Sequence, residues 1–171
     1  MALGLSSTAL HAQNYNSGNA SQAAIEKKVF KEIIRLPYYG LFDNIGYQVQ
    51  GGTVILSGKV VRPITKSDAA GVVKRINGVT NVVNNIEVLP LSSFDNQIRY
   101  QVANTLANRG GSFYRYLQGA SPSVKIIVDR GNVTLEGYVA NKSDANLANI
   151  LTRGVFGVFN VQNNLKVDRE S

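Results

Sequence analysis

Cysteine is absent from the 171 residues, which excludes disulfides, thiolate metal sites and a thiol nucleophile. Histidine occurs once, as His11 in the N-terminal stretch, so the folded part has no imidazole to serve as acid, base or ligand. Acid is also scarce, with 11 Asp and Glu against 18 Lys and Arg. Of these acids, Glu26 and Glu32 lie among Lys27, Lys28 and Lys31 on a helix surface, Asp68 and Asp144 read as helix caps, and Asp129 sits at a hairpin turn. No Gly-x-Ser-x-Gly, P-loop or EF-hand spacing occurs. The sequence thus presents no catalytic constellation, no metal or cofactor site and no sign of a small-molecule substrate. Long hydrophobic runs are missing too: no segment approaches the roughly 18 apolar residues that cross a bilayer.

What is present begins with Met1–Ala12 (MALGLSSTALHA), apolar and small, ending in Leu-His-Ala ahead of Gln13 in the manner of a secretory signal. Gln13–Ser21 is polar and small, and reads as a flexible lead into the first domain. Residues 1–19 are therefore expected to be leader, 20–90 a first domain and 91–168 a second. The division rests on an internal repeat. A shift of 79 residues superposes Gly52-Thr-Val-Ile-Leu-Ser-Gly58-Lys-Val60 on Gly131-Asn-Val-Thr-Leu-Glu-Gly137-Tyr-Val139. It also superposes Gly78-Val-Thr-Asn-Val-Val-Asn84-Asn-Ile-Glu-Val88 on Gly157-Val-Phe-Asn-Val-Gln-Asn163-Asn-Leu-Lys-Val167. Between these blocks Lys66-Ser-Asp68 matches Lys142-Ser-Asp144 at a shift of 76, which implies compensating three-residue gaps around the second copy's middle helix.

Periodicity supplies the elements. Ile25, Val29 and Ile33 recur at helical spacing, as do Ile98, Val102 and Leu106, so each copy opens with an amphipathic helix, the first stopped by Pro37. Tyr47 and Val49 alternate with glutamines, Gly51-Gly52 turns the chain, and Val54, Leu56 and Val60 alternate on the return. Ile126, Val128, the turn at Arg130-Gly131, and Val133, Leu135 and Val139 repeat that hairpin. Gly58 and Gly137 fall in phase with the buried face and read as places where a helix approaches the sheet. A second helix buries Ala69, Val72, Val73 and Ile76, its start marked by Thr65 before Asp68 and by Asn141 before Asp144. A last strand follows, with Val82, Ile86 and Val88 matched by Val161, Leu165 and Val167. The expected fold is α+β: two tandem α-β-β-α-β modules, each a three-stranded mixed sheet with two helices on one face. A module of about 70 residues is marginal alone, so the two should touch.

This element order, the motif Gly-x-Val-x-Leu-x-Gly-x-Val and the ending Gly-Val-x-x-Val-x-Asn-x-Ile/Leu-x-Val resemble the BON (bacterial OsmY and nodulation) domain in both copies. The matching positions are Gly52, Gly58, Gly78 and Asn84, with Gly131, Gly137, Gly157 and Asn163, all turn and packing positions. The resemblance implies a periplasmic, exported protein doing non-catalytic work. That work would be association with phospholipid surfaces, osmotic stress protection or attachment to envelope assemblies; one branch of the family suggests potassium binding. The second copy departs from the pattern in a longer loop, Arg109–Ser123.

Charge is the positive signal. Basic residues exceed acids by 9 to 5 in residues 20–90 and by 9 to 6 in residues 91–171, which favours anionic partners. Lys27, Lys28, Lys31 and Arg35 cluster on the first helix, and Arg109, Arg115 and Arg130 in the second copy. Each cluster reads either as a solvated face or as an anion-binding one. Rings follow the first helix of each copy, as Tyr38, Tyr39 and Phe42, then Phe113, Tyr114 and Tyr116. Rings beside cations suit a lipid headgroup region or an interface between modules. Basic residues with rings also suit nucleic acid, but one Arg109-Gly110-Gly111 is weak and export would exclude that partner. The sequence does not fix an oligomeric state. N-terminal sequencing of the native protein should find a mature start at Gln13; an intact Met1 in cytosolic fractions would overturn export.

Overall fold

A computed structural model of the chain describes residues 8–119 and 121–168. The first module comprises α1 (Thr8–Ile33), β1 (Asn44–Gln50), β2 (Thr53–Val60), α2 (Pro63–Lys74) and β3 (Asn81–Val88). The second comprises α3 (Ser93–Arg109), β4 (Val124–Asp129), β5 (Asn132–Val139), α4 (Lys142–Arg153) and β6 (Asn160–Val167), with a 3₁₀ turn at Gly111–Tyr116. Each sheet places its middle strand between an antiparallel hairpin partner and a parallel one: β1-β2-β3 and β4-β5-β6. The two-residue turns fall where the glycines put them, with Gln50 paired to Thr53 and Asp129 to Asn132.

Two cores result. Ile25, Val29 and Ile33 of α1 meet Val54, Leu56, Val60, Ala69 and Val73 in the first module. Ile98, Val102 and Leu106 of α3 meet Val124, Ile126, Val133, Leu135 and Ala148 in the second. Asn84 and its counterpart Asn163 tie helix to strand. Each side-chain amide donates to a carbonyl in the preceding helix, Asn84 to Lys66 and Asn163 to Ala145, both at 2.9 Å. Each side-chain oxygen accepts from the backbone two residues on, at Ile86 and Leu165.

Several expectations are corrected. The leader is helical from Thr8, so the stretch to Ser21 continues α1, and no proline interrupts it; the rest of the leader, residues 1–7, lies outside the described residues. The repeat runs at one shift of 79 from the hairpin onward, because α2 and α4 both start and end 79 residues apart. The Lys-Ser-Asp match at 76 is therefore a coincidence of composition. Helix α2 begins at Pro63, with Arg62 at the cap position and no side-chain cap. Proline at the first helical position has its φ already set and no N–H to satisfy, which explains why no Thr65–Asp68 cap is needed. Thr65 is instead buried inside the helix. In α4 the expected cap holds: Asn141 accepts from the Asp144 amide at 2.8 Å.

Gly58 and Gly137 are in the expected phase for a different reason. Their φ angles are +110° and +117°, a conformation L-residues rarely adopt. A Cβ there would collide with the backbone carbonyl of Asn44 or Ser123, at the start of the paired hairpin strand, and not with a helix. Gly137→Val should therefore lower the stability of the second module by about 3 kcal/mol or more. Gly137→Ala should cost nearly as much, because the clash begins at Cβ; thermal melts showing a harmless alanine would return the helix-approach explanation.

Candidate functional site

The junction between modules collects the polar residues that the sequence leaves without a role. The loop after α1 lies along the edge of β4, where the Ile126 amide donates to the Leu41 carbonyl at 2.9 Å. Leu41 and Phe42 pack into the second module's core, and Phe42 meets Tyr100 edge-on with centroids 5.4 Å apart. As a result β4 is covered on both faces: Ile126 and Val128 face its own helices, while Lys125 and Ile127 are buried as well. Lys125 is 6% exposed; its ammonium donates to the Gly40 carbonyl at 3.0 Å and lies 4.2 Å from the Tyr39 ring centroid. Burial pulls its pKa from the usual 10.5 down to about 8, against the attraction of Asp43.

Asp43 is itself buried, accepting from the Val61 amide at 2.7 Å and the Gly40 amide at 3.0 Å, so it closes the same loop. Desolvation raises its pKa despite those two bonds. At the rim Lys59 bonds Asp129 at 2.8 Å, with Glu87 at 3.6 Å, and this holds the Asp129 carboxyl below its ordinary range. Asp129 is thus an inter-module partner and not only a turn residue. With Lys59 over a third exposed, the pair contributes about 1 kcal/mol or less. Within the second module Asp95 accepts from the Arg130 and Gly131 amides at 2.9 and 2.8 Å, and Arg99 donates to the Val128 carbonyl at 2.7 Å. Gln22 makes the matching bond to Val49 in the first module. These groups fasten the opening helix of each module to its hairpin.

The anion-binding candidates divide. Lys27, Lys28 and Lys31 are exposed on α1, Arg35 is exposed in the turn just after it, and none pairs with a carboxylate among the described residues. Arg109 is exposed at the end of α3. Arg115 is exposed but engaged, bonding Asp144 at 3.1 Å and the Tyr116 hydroxyl at 2.6 Å, and so pins the 3₁₀ turn to α4. The Tyr116 hydroxyl also donates to Asp144 at 2.5 Å.

The candidate interface rings are corrected likewise. Phe113 and Tyr116 fill the second module's own core, where the longer loop supplies volume. Tyr114 is exposed, and Tyr38 is exposed beside Arg62. Tyr39 and Phe42 work at the junction, and Tyr38 borders it, lining a cavity with Asn96, Arg99 and Tyr100 of the second module. Sequence reasoning also missed an apolar tip on the second module, where Phe156 is 87% and Phe159 75% exposed, with Phe94 stacked 6.1 Å from Phe159. The corresponding residues of the first module are Asn77, Thr80 and Ser21. The mismatch of Thr80 with Phe159 inside an otherwise matching block was the available signal. Arg130 and Arg153, both exposed, flank the tip.

These polar groups hold modules and elements together, in a tandem-repeat α+β protein of two three-stranded mixed sheets. The chain belongs to the BON domain family, matched twice, over residues 21–90 and 95–169. The BON domain is generally a non-catalytic module. No curated protein matches this sequence. Among solved structures the chain is similar to the C-terminal domain of CdsD, a structural protein of the type III secretion system of Chlamydia trachomatis. That match has 14% identity, covers 84% of this chain and 96% of the other, and has a TM-score of 0.34. A second CdsD structure matches at 13% identity, 85% and 94% coverage and a TM-score of 0.33. No helix among the described residues is long and apolar enough to cross a membrane.

Lys125 gives the junction a pH signature. Its lowered native pKa means the unfolded chain binds more protons between about pH 8 and 10.5, so this group's penalty is full below pH 8 and relieved as pH rises through that window. In urea unfolding, wild type should gain on the order of 1–3 kcal/mol relative to Lys125→Met between about pH 7 and pH 10. Parallel stability curves for the two proteins would mean that Lys125 is solvated.

Proposed function

We propose that this protein is a non-catalytic, periplasmic envelope protein that associates peripherally with anionic phospholipid surfaces. The observation carrying this reading is the cationic stripe along α1 and the turn after it: Lys27, Lys28, Lys31 and Arg35 are exposed and have no carboxylate partner among the described residues. Each such charge near an anionic surface contributes about 1 kcal/mol, so four give roughly 4 kcal/mol, a millimolar-scale affinity. A second contact is needed. The tip of Phe94, Phe156 and Phe159 between Arg130 and Arg153 supplies apolar rings beside cations, as an interfacial contact requires. Fixed in one molecule with the stripe, it acts at high effective concentration if both reach the surface together.

The same tip supports a second reading, a scaffold within envelope assemblies, because exposed contiguous rings also suit a protein partner. Co-sedimentation with phosphatidylglycerol vesicles separates the two. Binding should exceed that to neutral lipid, weaken as salt shortens screening to about 8 Å, and fall when all four stripe residues become Gln. Equal binding to both lipids, or no loss in the variant, favours the scaffold.

A further inference from the structure

A groove of about 570 Å³ lies at the module junction, within the range of small-ligand sites. One wall is Phe30 of α1 and Ile34 just after it, with Ile45 of β1, and the facing wall is Pro122 and Tyr138 of the second module. Phe30 and Tyr138 line opposite walls and are each 52% exposed. Among the described residues Lys125 is the one charged side chain lining the groove, and no carboxylate lines it. An ammonium has three donors. That of Lys125 spends one on the Gly40 carbonyl, presents its charge to the Tyr39 ring and feels the Asp43 carboxylate without bonding it, which leaves N–H groups without an acceptor among the described residues although the side chain is over nine-tenths buried.

We propose that this groove binds a single-chain anionic amphiphile, its head group meeting the Lys125 ammonium and its alkyl chain lying between the Phe30–Ile34 wall and Tyr138. Apolar walls select a hydrocarbon chain, and the Lys125 ammonium in the groove selects an anionic head over a neutral or cationic one. The site needs both modules, since neither supplies both walls. It does not depend on the membrane reading, because the ligand is a monomer and not a surface. Filling the head position with an anion would also relieve an ammonium whose charge burial now penalises.

The experiment is calorimetric titration of the full chain with dodecanoate below its micelle concentration, with dodecyl maltoside and dodecyltrimethylammonium as neutral and cationic controls and lauroyl-lysophosphatidylglycerol as a second anionic head. Dodecanoate should bind, the two controls should bind roughly tenfold more weakly or not at all, and dodecanoate binding should weaken above about pH 8. Lys125→Gln, which keeps a donor for Gly40, should reduce dodecanoate affinity roughly tenfold. Tyr138→Asp, at a half-exposed position, should do the same without lowering the melting temperature, which guards against an unfolded Lys125 variant. Similar affinity for the lysophospholipid leaves the shared chemistry intact, and dodecanoate alone would assign a free carboxylate head. The variant with four Gln on α1 should retain dodecanoate binding, so loss of vesicle binding there leaves the groove standing. Equal binding of all three head-group charges, or undiminished binding in both groove variants, overturns the proposal.

Discussion

The loop Gly40–Asp43 holds the molecule together. Its carbonyls at Gly40 and Leu41 receive Lys125 and Ile126 of the second module, its Phe42 enters that module's core, and its Asp43 clamps the first module by accepting from Gly40 and Val61. The strand edge of β4 would otherwise offer unpaired backbone groups to any other chain, and an edge covered by a loop of the same chain is protected from aggregation. One short segment therefore closes one module, completes the core of the other and covers an edge.

That arrangement explains how two small modules become stable. Each has its own core, but each is of a size that buries only about 60% of its unfolded surface. Sharing Leu41 and Phe42 removes apolar area from water at the least protected side of the second sheet. The cost is a buried cation, Lys125, whose charge the interior disfavours. A lysine at that strand position is hard to explain by stability alone, since an apolar side chain of similar length would pack there without desolvating a charge. Its neighbourhood, an open groove with rings on both walls, is where ligand chemistry offers a reason for it.

The two copies share one scaffold and differ in what their surfaces carry. The glycines with positive φ at 58 and 137 and the asparagines at 84 and 163 stay fixed because each answers a local geometric demand that recurs in both copies. Surface positions answer no such demand. There the first module carries cations on α1, while the second carries Phe156 and Phe159 where the first has Asn77 and Thr80. The opening helices show the same drift inside the fold, Gln22 and Arg99 making equivalent bonds to Val49 and Val128 with unrelated side chains.

The sequence by itself determined the repeat, the order of elements, both hairpin turns and the helix faces, because periodicity and turn residues act through neighbours close along the chain. It also named the exposed cations of α1, since charges spaced four apart on a helix share a face whatever the rest does. It misread what depends on contacts distant in sequence. Val-Lys-Ile-Ile-Val of β4 reads as a strand with one buried face, and only the docking of the other module buries Lys125 and Ile127 on the second. The ring clusters after each first helix look alike in sequence, yet Phe113 and Tyr116 turn inward while Phe42 crosses to the neighbouring module. Which surface a side chain meets was decided by tertiary packing, because burial is a property of the assembled volume and not of the residue or its neighbours along the chain.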